Sequence, residues 1–361
     1  MTIRLEPRAV VPRWLSPLAT GAAVTTALVI SGVIIAAVGG DPVRSYLHIL
    51  NAAFGSVGVL SDTLVKATPL LLTGLACALA FRMRLWNIGA EGQFLLGAWG
   101  ASAVVLAPIL PAGMPAIVVI PAMMLAGAAA GAVWGMIPGV LRALLGVNEI
   151  ITTLMLNYVA LFWIQFWVFG PWSEGGFQQT KPFPHEALLP RLTDFSSSVP
   201  AFAGLTVHLG LVFGLGAAGI MWVALERSRW GYEIRLVGDS PQAARYAGID
   251  IARNVIVVFA ISGALAGLAG MSEVSGVVHK LQDRISPGYG FTAIIVAYLA
   301  RFDPLKVIVA SVLFGALILA GREIQPSGVP AMIQGVILFS LIVAEVFVRY
   351  RVHFERRALA V

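Results

Sequence analysis

The chain has 361 residues, of which 58% are hydrophobic and only 12% charged, with a formal net charge of +6. Soluble domains carry about 25% charged residues, so a soluble globule could not cover this much apolar surface and the surplus must face lipid. The composition excludes a soluble enzyme, a nucleic-acid binder and a disordered scaffold. Mean hydropathy is +0.88. The basic residues are scattered among loops, with no basic stripe and no interleaved aromatics of the kind that binds nucleic acid.

Ten membrane spans are predicted, giving an all-α, polytopic integral membrane helix bundle. Residues 1–17 form an N-terminal tail, and residues 18–38 carry no charge and make the first span. This apolar core of 21 residues exceeds the roughly 7–15 of a cleaved signal peptide. Further spans are expected at 67–82, 86–106, 116–140, 149–169, 206–225, 254–272, 287–300, 305–320 and 329–348. The stretch 92–141 has no charged residue but is too long for one crossing, and prolines and glycines at 108–115 divide it. With the N-terminus inside, seventeen Lys and Arg fall on cytoplasmic segments and seven, Lys66 among them, on outside segments. This bias follows the positive-inside rule and puts both termini in the cytoplasm, with a basic tail at 349–361.

Gly127, Gly131, Gly135 and Gly139 recur every four residues in the fourth span, and Gly263 and Gly267 repeat the spacing in the seventh. Such ridges let membrane helices approach closely. Packing inside one bundle is favoured over a subunit interface. The single cysteine, Cys77, lies in an apolar run and suits core packing.

Polar residues near membrane depth are the candidate functional positions. Asn87 and Glu91 are four apart on one helix face, with Gln93 beside them. They either line or shape a solute path or cap the third span, and spacing alone leaves both open. Asn148 and Glu149 read as an N-cap and a first-turn carboxylate. Asn157 and Gln165 lie deeper in the fifth span, Trp163, Trp167 and Trp172 read as an aromatic belt at its outer end, and Glu273 as interfacial.

The cytoplasmic loop 226–253 contains a short capped helix. Asp239 or Ser240 can cap it, Pro241 suits its first position and Gly248 its left-handed stop. A helix this short rarely stands alone, so a headgroup layer or a cytoplasmic subunit should pack on it. No phosphate-binding glycine loop, metal-ligand cluster or nucleophile elbow is present in the sequence, so the chain is expected to be a transporter component and not an enzyme.

The pattern Gly231, Arg235, Gly238, Ala243-Ala244 and Gly248-Ile249 resembles the coupling-helix loop of permease subunits of ATP-binding-cassette importers for branched-chain amino acids, simple sugars and nucleosides. Asn87-Ile88-Gly89-Ala90-Glu91-Gly92-Gln93 resembles the nucleoside and simple-sugar branch, and the likeness runs from about residue 60 to 348. It implies a multi-pass subunit of the bacterial inner membrane that pairs with a second permease as a heterodimer. Two cytoplasmic ATPase subunits, which bind the ATP, and an extracytoplasmic binding protein are the further partners, and the chain itself holds no cofactor and no metal. By the resemblance, Pro241, Ala243, Ala244, Arg245, Tyr246, Ala247 and Gly248 belong to the helix that sits in the ATPase groove. Replacing Ala244 with Asp is expected to uncouple transport while leaving membrane insertion intact. Purine nucleosides are the favoured cargo, a pentose or hexose second, and branched-chain amino acids an alternative. An ion-coupled carrier using Glu91 is the competing class. The external stretch 170–205 departs from compact family members, with docking of the binding protein or a plain loop both open.

Overall fold

A computed structural model describes residues 2–8, 12, 14–107, 109–111, 113–321 and 328–355. Of the sequence expectations, Arg13 and Arg322 of the charge count, Pro108 and Ala112 of the break, and residues 356–361 of the basic tail lie outside the described residues. The chain divides into two compact units, residues 1–50 with 320–361, and residues 51–319.

In the first unit α1 (Leu15–Ala37) packs with α13 (Val329–Arg349). The tails, expected as simple basic ends, instead form β1 (Thr2–Pro7) and β2 (Tyr350–Glu355), antiparallel with Thr2 opposite Glu355 and Pro7 opposite Tyr350. Both segments alternate apolar and polar residues, the period of a strand. Because the tails hydrogen-bond to each other, they lie on one side of the membrane, and the number of crossings is even.

Between the first two expected spans the structure adds α2 (Pro42–Phe54), which the sequence reading missed. Its signal was local. Asp41 Oδ1 accepts from the Val43 and Arg44 amides, and Pro42 takes the first position.

The second unit is built around α3 (Val57–Arg82), most of whose length is buried. This helix starts ten residues before the expected span, at the Ser56 cap. Lys66 therefore sits inside the membrane helix, not among the outside charges, leaving six there. Helices α4 (Ala90–Leu106), α5 (Ala116–Leu145) and α10 (Ile251–Glu273) pack into one seam made of glycine. A Cβ on Gly131 would meet the Gly263 carbonyl, and one on Gly263 would meet the Gly131 carbonyl. Gly127 and Gly267 face each other in the same way, Gly135 lies on the Phe259 carbonyl, and a Cβ on Gly139 would come within 2.8 Å of the Phe259 Cβ. Gly97 of α4 lies on Gly267. In lipid, where no hydrophobic force draws helices together, this closeness supplies the dispersion contact that does.

Helix α6 (Glu149–Phe169) matches its expected span residue for residue, and α7 (Gly210–Arg227) follows the external segment. Helices α8 (Arg229–Asp239) and α9 (Pro241–Tyr246) join α7 to α10. A π-helical turn at Val274–Val278 extends α10 and ends at His279, whose φ is +62°. Helix α11 (Tyr289–Leu299) has 11 residues, and α12 (Pro304–Ala320) has 17. At ~1.5 Å per residue α11 spans ~16 Å, about half the hydrocarbon thickness. The crossing expected at 287–300 is therefore only a half-helix. Among the described residues, seven helices are long and apolar enough to cross alone, with α4, α11 and α12 shorter.

Candidate functional site

Two helices begin inside the bundle. After α3 the chain does not stay at the surface. Residues 83–89 fold back in, so that Asn87 is fully buried and donates to Ser262 Oγ at 2.8 Å. Ser262 is the twelfth of the 23 residues of α10, and in turn donates to the Ala76 carbonyl at 2.7 Å. Asn87 Nδ2 also donates to Gln93 Oε1 at 2.9 Å, while Gln93 Nε2 returns a bond to Asn87 Oδ1 at 3.1 Å. Asn157 of α6 stitches the same break, accepting from the Gly92 amide at 2.8 Å and donating to the Ile88 carbonyl at 2.9 Å. Irregular backbone survives at membrane depth only when its polar groups are satisfied within the protein, and these two amides and one glutamine do that.

Glu91, in the first turn of α4, does not serve its own helix alone. Its Oε2 accepts the amide of Gly290, the second residue of α11, at 2.7 Å. Gly290 packs so closely on the Glu91 backbone that a Cβ there would overlap it. The carboxylate thus joins the N-termini of α4 and α11, both positive ends of helix dipoles. Asn87, Glu91, Gln93 and Asn157 are all at most 8% exposed.

One residue earlier, Tyr289 closes a second polar cluster. Lys66 Nζ lies 3.3 Å from Glu273 Oε1 and 3.2 Å from the Tyr289 hydroxyl, which lies 3.4 Å from the same carboxylate. Glu273, the last residue of α10, is 2% exposed. The physical reason is the partner. Lys66 neutralises it inside the bundle, where neither charge could stand alone.

At the other side of this cluster the external segment is ordered and fastened to the end of α10. Thr180, Phe183 and Leu189 donate backbone bonds to the carbonyls of Leu281, His279 and Ser275. The Arg191 guanidinium grips the Gly276 carbonyl and meets His279 Nε2 at 2.5 Å. His208, 2% exposed, accepts the Gly210 amide on Nδ1. Burial first, then the charges of Arg191, Lys66 and His279, push its pKa down to about 4. Burial and Arg191 also lower His279. Both rings stay neutral where an unfolded histidine (pKa ~6.5) would take a proton. Their effect is absent above pH ~6.5 and destabilising as the pH falls towards 4, with His208 costing up to about 3 kcal/mol. The melting temperature of detergent-solubilised protein is thus expected to drop over that interval, and His208→Gln to flatten the drop. An identical profile in the variant would remove His208 as the cause.

The opposite end of the bundle carries α8 and α9. Ser240 caps α9 by accepting the Ala243 amide, Pro241 opens it, and Gly248 stops it at φ +74°. Asp239, the other expected cap, instead pairs with Arg84 at 2.9 Å. The expected residues then sort into two sets. Gly231 lies on the Leu225 carbonyl and Gly238 on Arg82 and Met83, while Arg235 donates to the Leu225 carbonyl at 2.5 Å. Ala244 is fully buried, so it packs α9 onto the bundle and does not present itself outward, because its position on a six-residue helix is the one that faces inward. Pro241, Ala243, Arg245, Ala247 and Gly248 are exposed, and Tyr246 is 95% exposed.

A family model described as branched-chain amino acid transport system / permease component matches residues 59–345. The chain belongs to this family. The permease is 38% identical to the glucose ABC transporter permease protein TsgB13 of Haloferax volcanii, over 98% of its own length and 95% of the relative's. It is 34% identical to the guanosine ABC transporter permease protein NupP of Bacillus subtilis, over 90% and 91%. The nucleoside ABC transporter permease protein NupB of Lactococcus lactis is 33% identical, over 89% and 88%. Each organism also has a second, more distant permease relative, at 26%, 27% and 24% identity respectively. No solved structure matches the chain. As a permease component it is not an enzyme, and ATP hydrolysis belongs to a separate subunit. Sequence reasoning missed Lys66 and Tyr289 of the permease. The signal was a lysine directly before the apolar run at 67–82, counted with the outside charges because the span was started ten residues too late.

Proposed function

We propose that the permease lines half of the membrane path of an ATP-driven importer in the cytoplasmic (inner) membrane, and that a second, different permease supplies the other half. The paired relatives in three organisms support the heterodimer, since in each the permease is close to one member and far from the other. Two ATPase subunits act from the cytoplasm, and an extracytoplasmic binding protein delivers the solute.

The observation that carries this reading is the outward face of α9. Tyr246, Arg245, Ala243 and Ala247 project from a six-residue helix that is locked behind by buried Ala244, Gly231 and Gly238. A short, rigidly backed, exposed knob transmits a push, and the ATPase pair supplies it. Movement of α9 reaches the polar core through α10, whose Ser262 holds Asn87. Asn87, Glu91, Gln93 and Asn157 shape the path by fixing the starts of α4 and α11 and do not touch solute, because their polar atoms are engaged with each other and with backbone. Glu91, tied to Gly290, is not a coupling carboxylate of an ion-driven carrier.

The cargo is a nucleoside, following the guanosine and nucleoside relatives. A simple sugar is the second reading, favoured by the glucose relative. The test is thermal stabilisation of the cognate binding protein together with uptake by the reconstituted importer. Guanosine is expected to raise the melting temperature and to accumulate in an ATP-dependent way. Stabilisation by leucine or isoleucine alone would contradict the nucleoside and sugar readings together.

A further inference from the structure

Two left-handed residues in succession, Arg301 (φ +51°) and Phe302 (φ +61°), make the turn between α11 and α12. Neither is glycine, so this backbone is strained, and such strain persists only where the surroundings hold it. Both the ring and the carbonyl of Phe302 are held. The ring packs edge-on against Phe81 of α3 and Tyr298 of α11, at 5.6 and 5.2 Å. The carbonyl accepts from Arg82 Nε at 3.1 Å.

Arg82 is the last residue of α3, and its other partners belong to α7 and α8. Its Nη1 lies 2.6 Å from Glu226 Oε1 at the end of α7, and Glu226 Oε2 lies 3.7 Å from Arg235 of α8. Gly238 of α8 presses on the Arg82 backbone, where a Cβ would come within 2.8 Å of the carbonyl oxygen. Ser240 alone separates α8 from α9. One planar guanidinium fork, which holds two acceptors in fixed geometry, thus joins the α8–α9 corner to the strained turn. From that turn α11 runs 11 residues back to its start, where the Gly290 amide sits on Glu91. A chain of contacts transmits movement when it contains an element with two arrangements, and a held left-handed turn is such an element.

We propose that Arg82 is a positioning residue that carries movement of α8 and α9 into the half-helix α11 through its grip on the Arg301–Phe302 turn, an inference that rests on the proposed importer function. Gripped, the turn keeps both residues left-handed. Released, it relaxes and lets α11 shift against Glu91. This linkage reaches the start of α11, as the one through Ser262 reaches Asn87.

The test is hydrogen exchange in the complete reconstituted complex, with the ATPase pair empty or closed by a non-hydrolysable ATP analogue. The readout is the amides of Phe302 and Asp303, which bond to the Ala297 and Ala300 carbonyls. Their exchange rates are expected to differ about tenfold between the two nucleotide states. Arg82→Lys keeps the charge but cannot hold Glu226 and the Phe302 carbonyl together. It is expected to leave α9 protected by the ATPase and to reduce the nucleotide difference at the turn below about twofold. A residue that merely capped α11 would alter exchange equally in both states, and an unchanged difference in Arg82→Lys overturns the linkage. So does a wild-type turn that ignores closure while α9 is protected, a result that needs no variant to fold. If adding the ATPase pair to the wild type leaves α9 unprotected, the importer reading itself falls, and the linkage with it.

Discussion

Lys66→Met is expected to cost the permease about 3–5 kcal/mol of stability, since it leaves the Glu273 carboxylate in the bundle without its cation. The carboxylate is 2% exposed and shares the Tyr289 hydroxyl with Lys66, so water cannot reach in to replace the lost ammonium. Glu273→Gln strands the ammonium instead and should cost a comparable amount. The double variant Lys66→Met/Glu273→Leu is expected to recover most of the loss, because a buried pair can be exchanged for apolar residues of similar size at little net cost. Unfolding in mixed micelles over a urea series measures all three. A double variant as damaged as the sum of the singles would show that the two charges do not act as a pair. The same cluster joins α3, α10 and α11, so the singles should also loosen the start of α11 and the external segment fastened at Ser275 and His279.

Substitution on the outward face of α9 is expected to have the opposite signature, with normal stability and a large functional loss. Tyr246 is 95% exposed, so Tyr246→Asp leaves the permease folded and inserted. The same change places a charge and removes a ring where the ATPase should grip, and ATP-driven uptake is expected to fall at least tenfold, about 1.4 kcal/mol of coupling. Ala244→Asp is no longer a clean test of coupling. Its side chain has no exposed surface, and burying a carboxylate there breaks the packing of α9 first. Uptake and melting temperature measured on both variants separate the two cases. Equal melting temperatures for Ala244→Asp and wild type would show that α9 is not seated as described.

What the sequence made legible was local. The span 149–169 came out to the residue because Asn148 caps it and Gly170 ends it, and the Ser240–Gly248 knob was readable from cap, proline and glycine alone. The four-residue glycine spacing gave the ridge, though not that Gly263 and Gly267 of α10 lie opposite Gly131 and Gly127 while Phe259 lies opposite Gly135 and Gly139. What stayed hidden was joined across the chain. Lys66 and Glu273 are 207 residues apart, Glu91 and Gly290 are 199 apart, and no period or cap records such a pairing. The half-length of α11 was marked in the sequence, since Pro287 and Gly288 precede it and Arg301 and Asp303 follow it, yet the 14 residues at 287–300 were read as a full crossing. The tails are strands only as a pair, with Thr2 opposite Glu355 from the far end of the chain.

The account rests on α9 being a cytoplasmic handle that the ATPase covers. Its most direct measurement is the reactivity of a cysteine placed at Tyr246, with Cys77 left in place because it is fully buried. A membrane-impermeant maleimide is expected to label Tyr246→Cys in inside-out vesicles stripped of ATPase, and to label it at least tenfold more slowly once the ATPase pair is restored. Labelling from the external side of intact cells, or an equal rate with and without the ATPase, would contradict it.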